Sequence, residues 1–478
     1  MTKKIAIIGA GPGGYVAAIR AAQLKAEVYL IENREIGGTC LNRGCIPTKT
    51  YFKNAEFMRD VKRSETFGLK VDNYDIDGNI LQARKQEVVD KLVGGIEQLL
   101  ESYDNIEVIN GTAKLTGKKS LSIKLNDGGD KDLEVDSIVL ATGSEPTMTE
   151  TKGIDLEGVI TSDDLLEMEE IPESLVVIGG GVIGLEFASI YQELGTQVTL
   201  LASRILKNMD KEIARRLPIF FKKQGMNVYT DIRAKEIEKS GDKLKVTAKY
   251  KEKDKEEVVE ADYVLAASGR GPVVEGLGLE DVGIEYDRHG IKVNDNYETN
   301  IEGIYAIGDV NDDGVQLAHV ASAQGTFVVE KILGEEPDVN LNVWPSCVFT
   351  LPEVSFVGPT EDELKEQGVE FNSSKFLFAA NGKALSLEEG EGFIKVFSSK
   401  EDNKLLGVTI MGPHANDLIH EGALAISNGL GIDAIQRTIH AHPTLSESFM
   451  EAIDGLDNKA IHMAPPRKRK KRRKRKKK

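Results

Sequence analysis

Short apolar runs that end in glycine punctuate the chain, and one arrangement of them occurs twice. Residues 4–8 (KIAII) read as a strand buried on both faces, because an unbroken apolar run of this length between turn residues fits a covered parallel sheet. Gly9-Ala10-Gly11-Pro12-Gly13-Gly14 follows at once, residues 15–24 have helical spacing, and residues 28–32 form a second buried strand. The same order returns with a strand at 175–178, the turn Gly179-Gly180-Gly181-Val182-Ile183-Gly184, a helix over 185–194 and a strand at 197–201. Further apolar strands end in Ala141-Thr142-Gly143-Ser144, in Ala267-Ser268-Gly269-Arg270 and in Gly308-Asp309. Asp309 at such an end suits a bond to a ligand hydroxyl, or the cap of the next helix. From Asn342 the pattern changes to strands and helices without a glycine turn, so a separate domain ending near Met463 is expected. The fold expected is α/β, with two Rossmann-like dinucleotide-binding domains and an α+β C-terminal domain.

Gly9, Gly11 and Gly14 satisfy the spacing G-x-G-x-x-G. The first allows the tight turn, the second lets a pyrophosphate approach the backbone, and the third lets the helix pack on the strand. Phosphates then sit at the helix N-terminus, where unpaired N–H groups and the dipole favour anions. Glu32 stands where a carboxylate about 20 residues further on accepts from the ribose diol. Gly179, Gly181 and Gly184 repeat the pattern, and two dinucleotides in one chain point to a flavin–nicotinamide oxidoreductase. A duplicated fold with one inactive site is the alternative. The residue at the offset of Glu32 in the second unit is Ala202, followed by Ser203 and Arg204. A carboxylate there would repel a 2′-phosphate; without it, Ser203, Arg204 and Lys207 offer donors to one, so NADP use is expected alone or beside NAD. The alternative is a shortened loop with a solvated Arg204 and NAD held by backbone groups.

Composition narrows the class. At about 150 residues per domain, 478 residues suggest three domains. The net charge is −16 although 467–478 is entirely basic, so the rest of the chain is more acidic still, which disfavours nucleic acid as the main partner. No apolar run approaches the roughly 20 residues of a membrane span, and the opening MTKKIAII is too short for a signal peptide, so a cytoplasmic location is expected. The basic tail should be disordered by self-repulsion, and would suit an acidic partner or act only as a solubilising end.

The three cysteines, Cys40, Cys45 and Cys347, are too few for a disulfide framework or a zinc ribbon. Cys40 and Cys45, flanked by Arg43 and Lys49, fit either a redox dithiol or two buried structural residues. A helix starting near Cys45 would favour thiolate. Cys347 lies in apolar surroundings and reads as core.

Gly38-Thr39-Cys40-Leu41-Asn42-Arg43-Gly44-Cys45-Ile46-Pro47 resembles the active-site signature of the flavin-dependent pyridine nucleotide–disulfide oxidoreductases. The resemblance runs from Lys4 to about Met463 and takes in both glycine turns, Ala141-Thr142-Gly143, Gly308-Asp309 and the run from His440 to Glu447. It implies an FAD-binding domain over 1–147 and 271–341, an NAD(P)-binding domain over 148–270, a dimerisation domain over 342–463 and a disordered tail over 464–478. It further implies that Cys40 exchanges with substrate and that Cys45 lies against the flavin. Lys49 would pair with Glu186 beside the flavin. Glu32, Thr142, Gly143, Asp309 and Ala318 would hold FAD, and Arg270 the nicotinamide dinucleotide. His442, oriented by Glu447, would be the acid–base group, serving the dithiol of the other subunit in a homodimer. The residues alone do not choose between His440 and His442.

Within the family, Leu41-Asn42-Arg43 and Ala441-His442-Pro443-Thr444-Leu445 are most similar to the lipoamide-oxidising members. These turn dihydrolipoamide and NAD(P)+ into lipoamide and NAD(P)H, and their lipoyl group comes from an acyltransferase or a glycine-cleavage carrier protein. A glutathione-type reductase using NADPH, or a non-catalytic assembly component, are the alternatives. Ser268-Gly269-Arg270-Gly271-Pro272-Val273 departs from the family's usual Gly-Arg-Arg-Pro-Asn, which leaves the nucleotide contacts there open.

Overall fold

A computed structural model describes residues 2–464, so the basic run and the disorder expected of it lie outside the described residues. The described residues form two compact units: one runs to Asn342 and takes in Phe349–Leu351, and the other is Val343–Val348 with the described chain from Pro352 on.

The first unit is built on one mixed and one parallel sheet. In the first sheet the order is Ile304–Ala306, Ser137–Leu140, Lys4–Ile8, Glu27–Glu32, Ile106–Gly117, Ser120–Leu125 and Asp130–Glu134. The first five strands run parallel, and the last two complete an antiparallel meander. Within the strand Lys4–Ile8, Ile5, Ala6, Ile7 and Ile8 are all apolar because both of its faces are covered. Ile5 and Ile7 pack with Ala17, Ala18, Ala21, Val328 and Val329 of two helices, whereas Ala6 and Ile8 pack with Ile31, Leu115 and Ile304. From Lys4–Ile8 the chain moves first to Glu27–Glu32 on one side and later to Ser137–Leu140 on the other. A switch point of this kind opens a crevice at the carboxyl ends of the strands.

The second sheet, in the order Asn227–Thr230, Gln197–Ala202, Ser174–Ile178, Tyr263–Ala266 and Val159–Ile160, is parallel throughout. Its central register repeats the first, Ile178 facing Leu201 as Ile8 faces Ile31. Both helices after the glycine turns begin earlier than their apolar spacing indicates, at Pro12–Gln23 and Val182–Glu193. The third glycine of each turn lies within the first turn of its helix, where its missing side chain allows close packing, so hydrophobic spacing does not register it. A three-stranded antiparallel sheet, Ile232–Ser240, Lys243–Tyr250 and Glu256–Ala261, is a further element of this unit. Its alternation of buried and exposed positions was available in the sequence as a period of two.

The second unit is the expected α+β domain. Five antiparallel strands stand in the order Pro345–Val348, Glu353–Val357, Leu405–Gly412, Phe393–Ser399 and Phe371–Leu377. Helices Ala415–Ser427 and Glu447–Asp454 bury Ile419, Ala425, Phe449 and Ile453 in one core with Ile394, Val396 and Ile410. Cys347 is half-buried at the edge of this core. No described helix is long and apolar enough to cross a membrane.

Candidate active site

Gly37 and Gly38, both with positive φ (90° and 56°), turn the chain into the short helix Gly38–Asn42, which carries Cys40. Gly44 breaks that helix, and Cys45 is the first residue of the next, Cys45–Lys62. The break and restart bring the two thiols within hydrogen-bonding reach of each other. They ionise unequally. The bond from Cys40 and the charge of Lys49 hold Cys45 down at about 7 against the effect of burial. Cys40 is pushed well up, first by that same bond and then by burial. One sulfur of the pair is therefore a thiolate near neutral pH and the other a thiol.

Lys49 lies one turn beyond Cys45 on the same helix face. Its ammonium binds both carboxylate oxygens of Glu186, at 3.1 and 2.9 Å, and sits 4.5 Å from the centre of the Phe349 ring. Glu186 is buried on the helix Val182–Glu193 and also accepts from the Phe349 N–H at 2.9 Å. Burial opposes the charge on Lys49, but Glu186 and the Cys45 sulfur raise its pKa above the ordinary lysine value. Phe349 and Ser144, described below, were not singled out in the sequence; nothing in a single chain links Phe349 to a lysine so far away. Lys49→Met is expected to raise the Cys45 midpoint by about 1–3 units, because it removes the cation and leaves the Glu186 carboxylate behind. Thiolate absorbance of the reduced protein followed against pH measures this.

The glycine turns have the shape their spacing requires. A Cβ on Gly9, whose φ is +104°, would stand 2.3 Å from the Ala141 carbonyl oxygen, and one on Gly14 would stand 1.8 Å from that of Gly9. A Cβ on Gly11 would meet nothing within 4 Å. Gly179 and Gly184 are crowded in the same way, against Ala267 and Gly179, and Gly181 is open. Gly11 and Gly181 are the N-caps of their helices and neither has a side-chain cap. Each turn is thus a cradle of backbone N–H groups with room above it, which fits a dinucleotide pyrophosphate.

Glu32 ends its strand with a buried carboxylate that accepts from the N–H groups of Ala10 (2.7 Å) and Arg34 (2.8 Å). Thr142 donates to the Val273 carbonyl at 2.7 Å, and Gly143 has φ 70°. Asp309 accepts from the Ser144 hydroxyl at 2.6 Å; burial raises its pKa, against the pull of Ser144 and Arg270. Arg270 donates to the Ser144 hydroxyl at 2.9 Å and to the Ser144 carbonyl at 2.5 Å, so its guanidinium is directed to the segment after Gly143 and to Asp309. Ala318 opens the helix Ala318–Leu333. Ser203 and Arg204 follow the strand Gln197–Ala202, Arg204 being exposed.

In the second unit, three histidines each meet a glutamate, and their geometry sets His440 apart from the other two. His440 is nearly buried, its Nε2 2.9 Å from Glu421 and its Nδ1 3.1 Å from the Thr438 carbonyl, so both ring nitrogens are occupied. His462 pairs with Glu451 at 2.7 Å. His442 is 79 % exposed, its Nδ1 is 2.8 Å from Glu447, and its Nε2 bonds to no described residue. Glu447 also accepts from the Thr444 N–H at 2.8 Å. Burial opposes its ionisation, but that N–H and the His442 ring hold it below the usual carboxylate range. A general base needs one ring nitrogen fixed and the other open. His440 fails this, whereas His442–Glu447 and His462–Glu451, with histidine side chains 79 % and 69 % exposed, both meet it, and it is the family resemblance that points to His442.

Comparison with known proteins agrees with this architecture. The family model described as pyridine nucleotide-disulphide oxidoreductase matches residues 3–325, and that of the dimerisation domain of the same family matches residues 344–453. The chain is 39 % identical over 464 residues to a mitochondrial dihydrolipoyl dehydrogenase of Pisum sativum, covering 96 % of this chain and 92 % of that one. It is 39 % identical over 472 residues to a dihydrolipoyl dehydrogenase of Bacillus subtilis (strain 168), covering 96 % and 98 %. The crystal structure of LpdA from Mycobacterium tuberculosis superposes with a TM-score of 0.88 at 29 % identity, covering 95 % of this chain and all of that one.

Proposed function

Because the chain belongs to the pyridine nucleotide-disulphide oxidoreductase family, we propose that the Cys40–Cys45 pair oxidises dihydrolipoamide and that the electrons leave as NADH. It is an FAD-dependent disulfide oxidoreductase that uses NAD(H), and it works as a homodimer. Bound FAD supplies two-electron transfer between the dithiol and the nicotinamide. Residues 1–147 and 271–341 hold it, with Gly9, Gly11, Gly14, Glu32, Lys49, Thr142, Gly143, Asp309 and Ala318 as its contacts. Residues 148–270 take the nicotinamide dinucleotide on Gly179, Gly181 and Gly184, and residues 342–463 dimerise.

The observation that carries the proposal is the unequal pair of thiols beside Lys49. In the oxidised pair a substrate thiolate attacks the Cys40 sulfur; the S–S bond breaks and Cys45 leaves as thiolate. A lowered thiol pKa makes the better leaving group, and the charge of Lys49 favours the Cys45 thiolate. The second substrate thiolate then attacks the mixed disulfide, closing the lipoamide ring and freeing Cys40. His442 from a second copy of the chain accepts one substrate proton at Nε2, while Glu447 fixes Nδ1, and the second proton passes to the freed Cys40 sulfur, whose pKa is pushed up. The lipoyl group comes from a partner, an acyltransferase or a glycine-cleavage carrier protein. A dithiol that must cycle belongs in a reducing compartment, the cytoplasm.

The test is a steady-state assay of dihydrolipoamide with NAD+ against glutathione disulfide with NADPH. Turnover of dihydrolipoamide at least about a thousandfold above the glutathione reaction is expected, beyond the roughly 10–200-fold range in which pocket fit alone discriminates close analogues. Comparable rates would remove the lipoamide assignment.

A further inference from the structure

The two glycine turns of the first unit share one strand register up to the last residue of the second strand, and there they part. Ile8 faces Ile31 in one and Ile178 faces Leu201 in the other, so Glu32 and Ala202 end their strands at the same place. Glu32 sends its carboxylate to the Ala10 N–H. Its counterpart is a methyl group, and the residue in place of Ala10 is Gly180, on which a Cβ would stand 2.9 Å from that of Ala202 and 2.0 Å from the Arg204 carbonyl oxygen.

The following loops also differ. After Glu32 the chain closes back when Gly37 N–H donates to the Ala10 carbonyl at 2.9 Å; after Ala202 it closes one residue sooner, when Leu206 N–H donates to the Gly180 carbonyl at 2.8 Å. Leu206 adopts φ 41° to do so. This tighter loop packs the Arg204 backbone on Gly180 and leaves its side chain exposed, with no hydrogen bond or ion pair to any described residue. Lys251 reaches the same loop, donating to the Ser203 carbonyl at 3.0 Å, and Lys207 is exposed just beyond it.

A carboxylate at this strand end accepts from both ribose hydroxyls and repels a 2′-phosphate. Here the acceptor and the repulsion are both gone, and cationic side chains stand around the vacant corner. We propose that the second turn, beside NAD(H), also takes a nicotinamide dinucleotide bearing a 2′-phosphate, NADP(H), with Arg204 as the main phosphate donor and Ser203, Lys207 and Lys251 beside it. The assignment rests on the reading of this turn as the nicotinamide dinucleotide site. Arg suits it because a planar fork of donors matches phosphate oxygens.

Binding of 2′,5′-ADP and of 5′-AMP to the flavin-loaded dimer, measured by titration calorimetry, tests the proposal without using the dithiol. The 2′-phosphate is expected to tighten binding by about tenfold or more, the worth of one or two charge-assisted bonds. R204A should cut that ratio at least about fivefold, and kcat/KM for NADPH in dye reduction should equal or exceed that for NADH. A202E should move both ratios the other way, a gain for NADH that misfolding would not produce. Equal binding of the two nucleotides, or a ratio that R204A leaves alone, would overturn the proposal while leaving the dithiol chemistry standing. If neither nucleotide bound, the assignment of the turn as the nicotinamide site would fall with it.

Discussion

Cys40→Ser and Cys45→Ser are each expected to reduce dihydrolipoamide oxidation to background, with flavin still bound and NADH still able to reduce an artificial dye. A hydroxyl of similar size keeps the packing around helix Cys45–Lys62, so the loss is chemical rather than structural. Without two sulfurs no S–S bond can be offered to the substrate, and no partial rate follows from one. Dye reduction needs the flavin and the nicotinamide dinucleotide but neither sulfur, so it separates loss of the relay from loss of the fold. The two variants should differ in what remains. Cys45 is held near 7 chiefly by the hydrogen bond from Cys40, and a serine hydroxyl can still donate there, so Cys40→Ser should keep a thiolate that titrates near neutrality. In Cys45→Ser the remaining thiol loses the neighbour that pushes its pKa up, and it should fall back toward the ordinary cysteine range. Thiolate absorbance of the two variants against pH checks the contrast, and dihydrolipoamide turnover near the wild-type rate in either one would sink the relay.

The parts of the molecule that were legible in the sequence are those where one residue type answers to one local geometry. Gly9 and Gly14 could be read because a Cβ at either would overlap a carbonyl oxygen, and the repeat at Gly179 and Gly184 showed that two such turns exist. The buried strands declared themselves through apolar runs covered on both faces. The helix starts were misplaced by a few residues because glycines carry no hydrophobic signal. The sheet formed by Ile232–Ser240 and its neighbours carries only an alternation of buried and exposed positions, with no glycine turn to mark it. What a sequence could not supply was long-range company. Nothing near Lys49 names Phe349, whose ring faces its ammonium, and nothing near Arg270 states that its guanidinium is directed to Ser144. The pairing of Lys49 with Glu186 came from the family resemblance, and the distances then supplied its physical reason, a buried carboxylate that requires a cation.

The choice between His440 and His442 shows the same division, and it leads to the second large effect. Two histidines two residues apart look equivalent in a sequence. In the fold, one has both nitrogens occupied and the other keeps Nε2 open. His442→Gln is therefore expected to slow oxidation of dihydrolipoamide by about 10²–10⁴, the usual worth of a positioned base, with NADH-dependent dye reduction nearly unchanged. His440→Gln should cost far less in the dithiol reaction. Glu447→Gln should fall between them, because an amide oxygen can still accept from Nδ1 but cannot stabilise the imidazolium by charge. The pH profile distinguishes a missing base from a displaced loop. Without His442 only substrate already ionised in solution can attack, so the rate of the variant should climb about tenfold per pH unit up to the thiol range near 8.5. Its deficit against the wild type should shrink accordingly as pH rises. A loop merely disordered by the substitution would leave the same fractional deficit at every pH, and that outcome would remove His442 as the base.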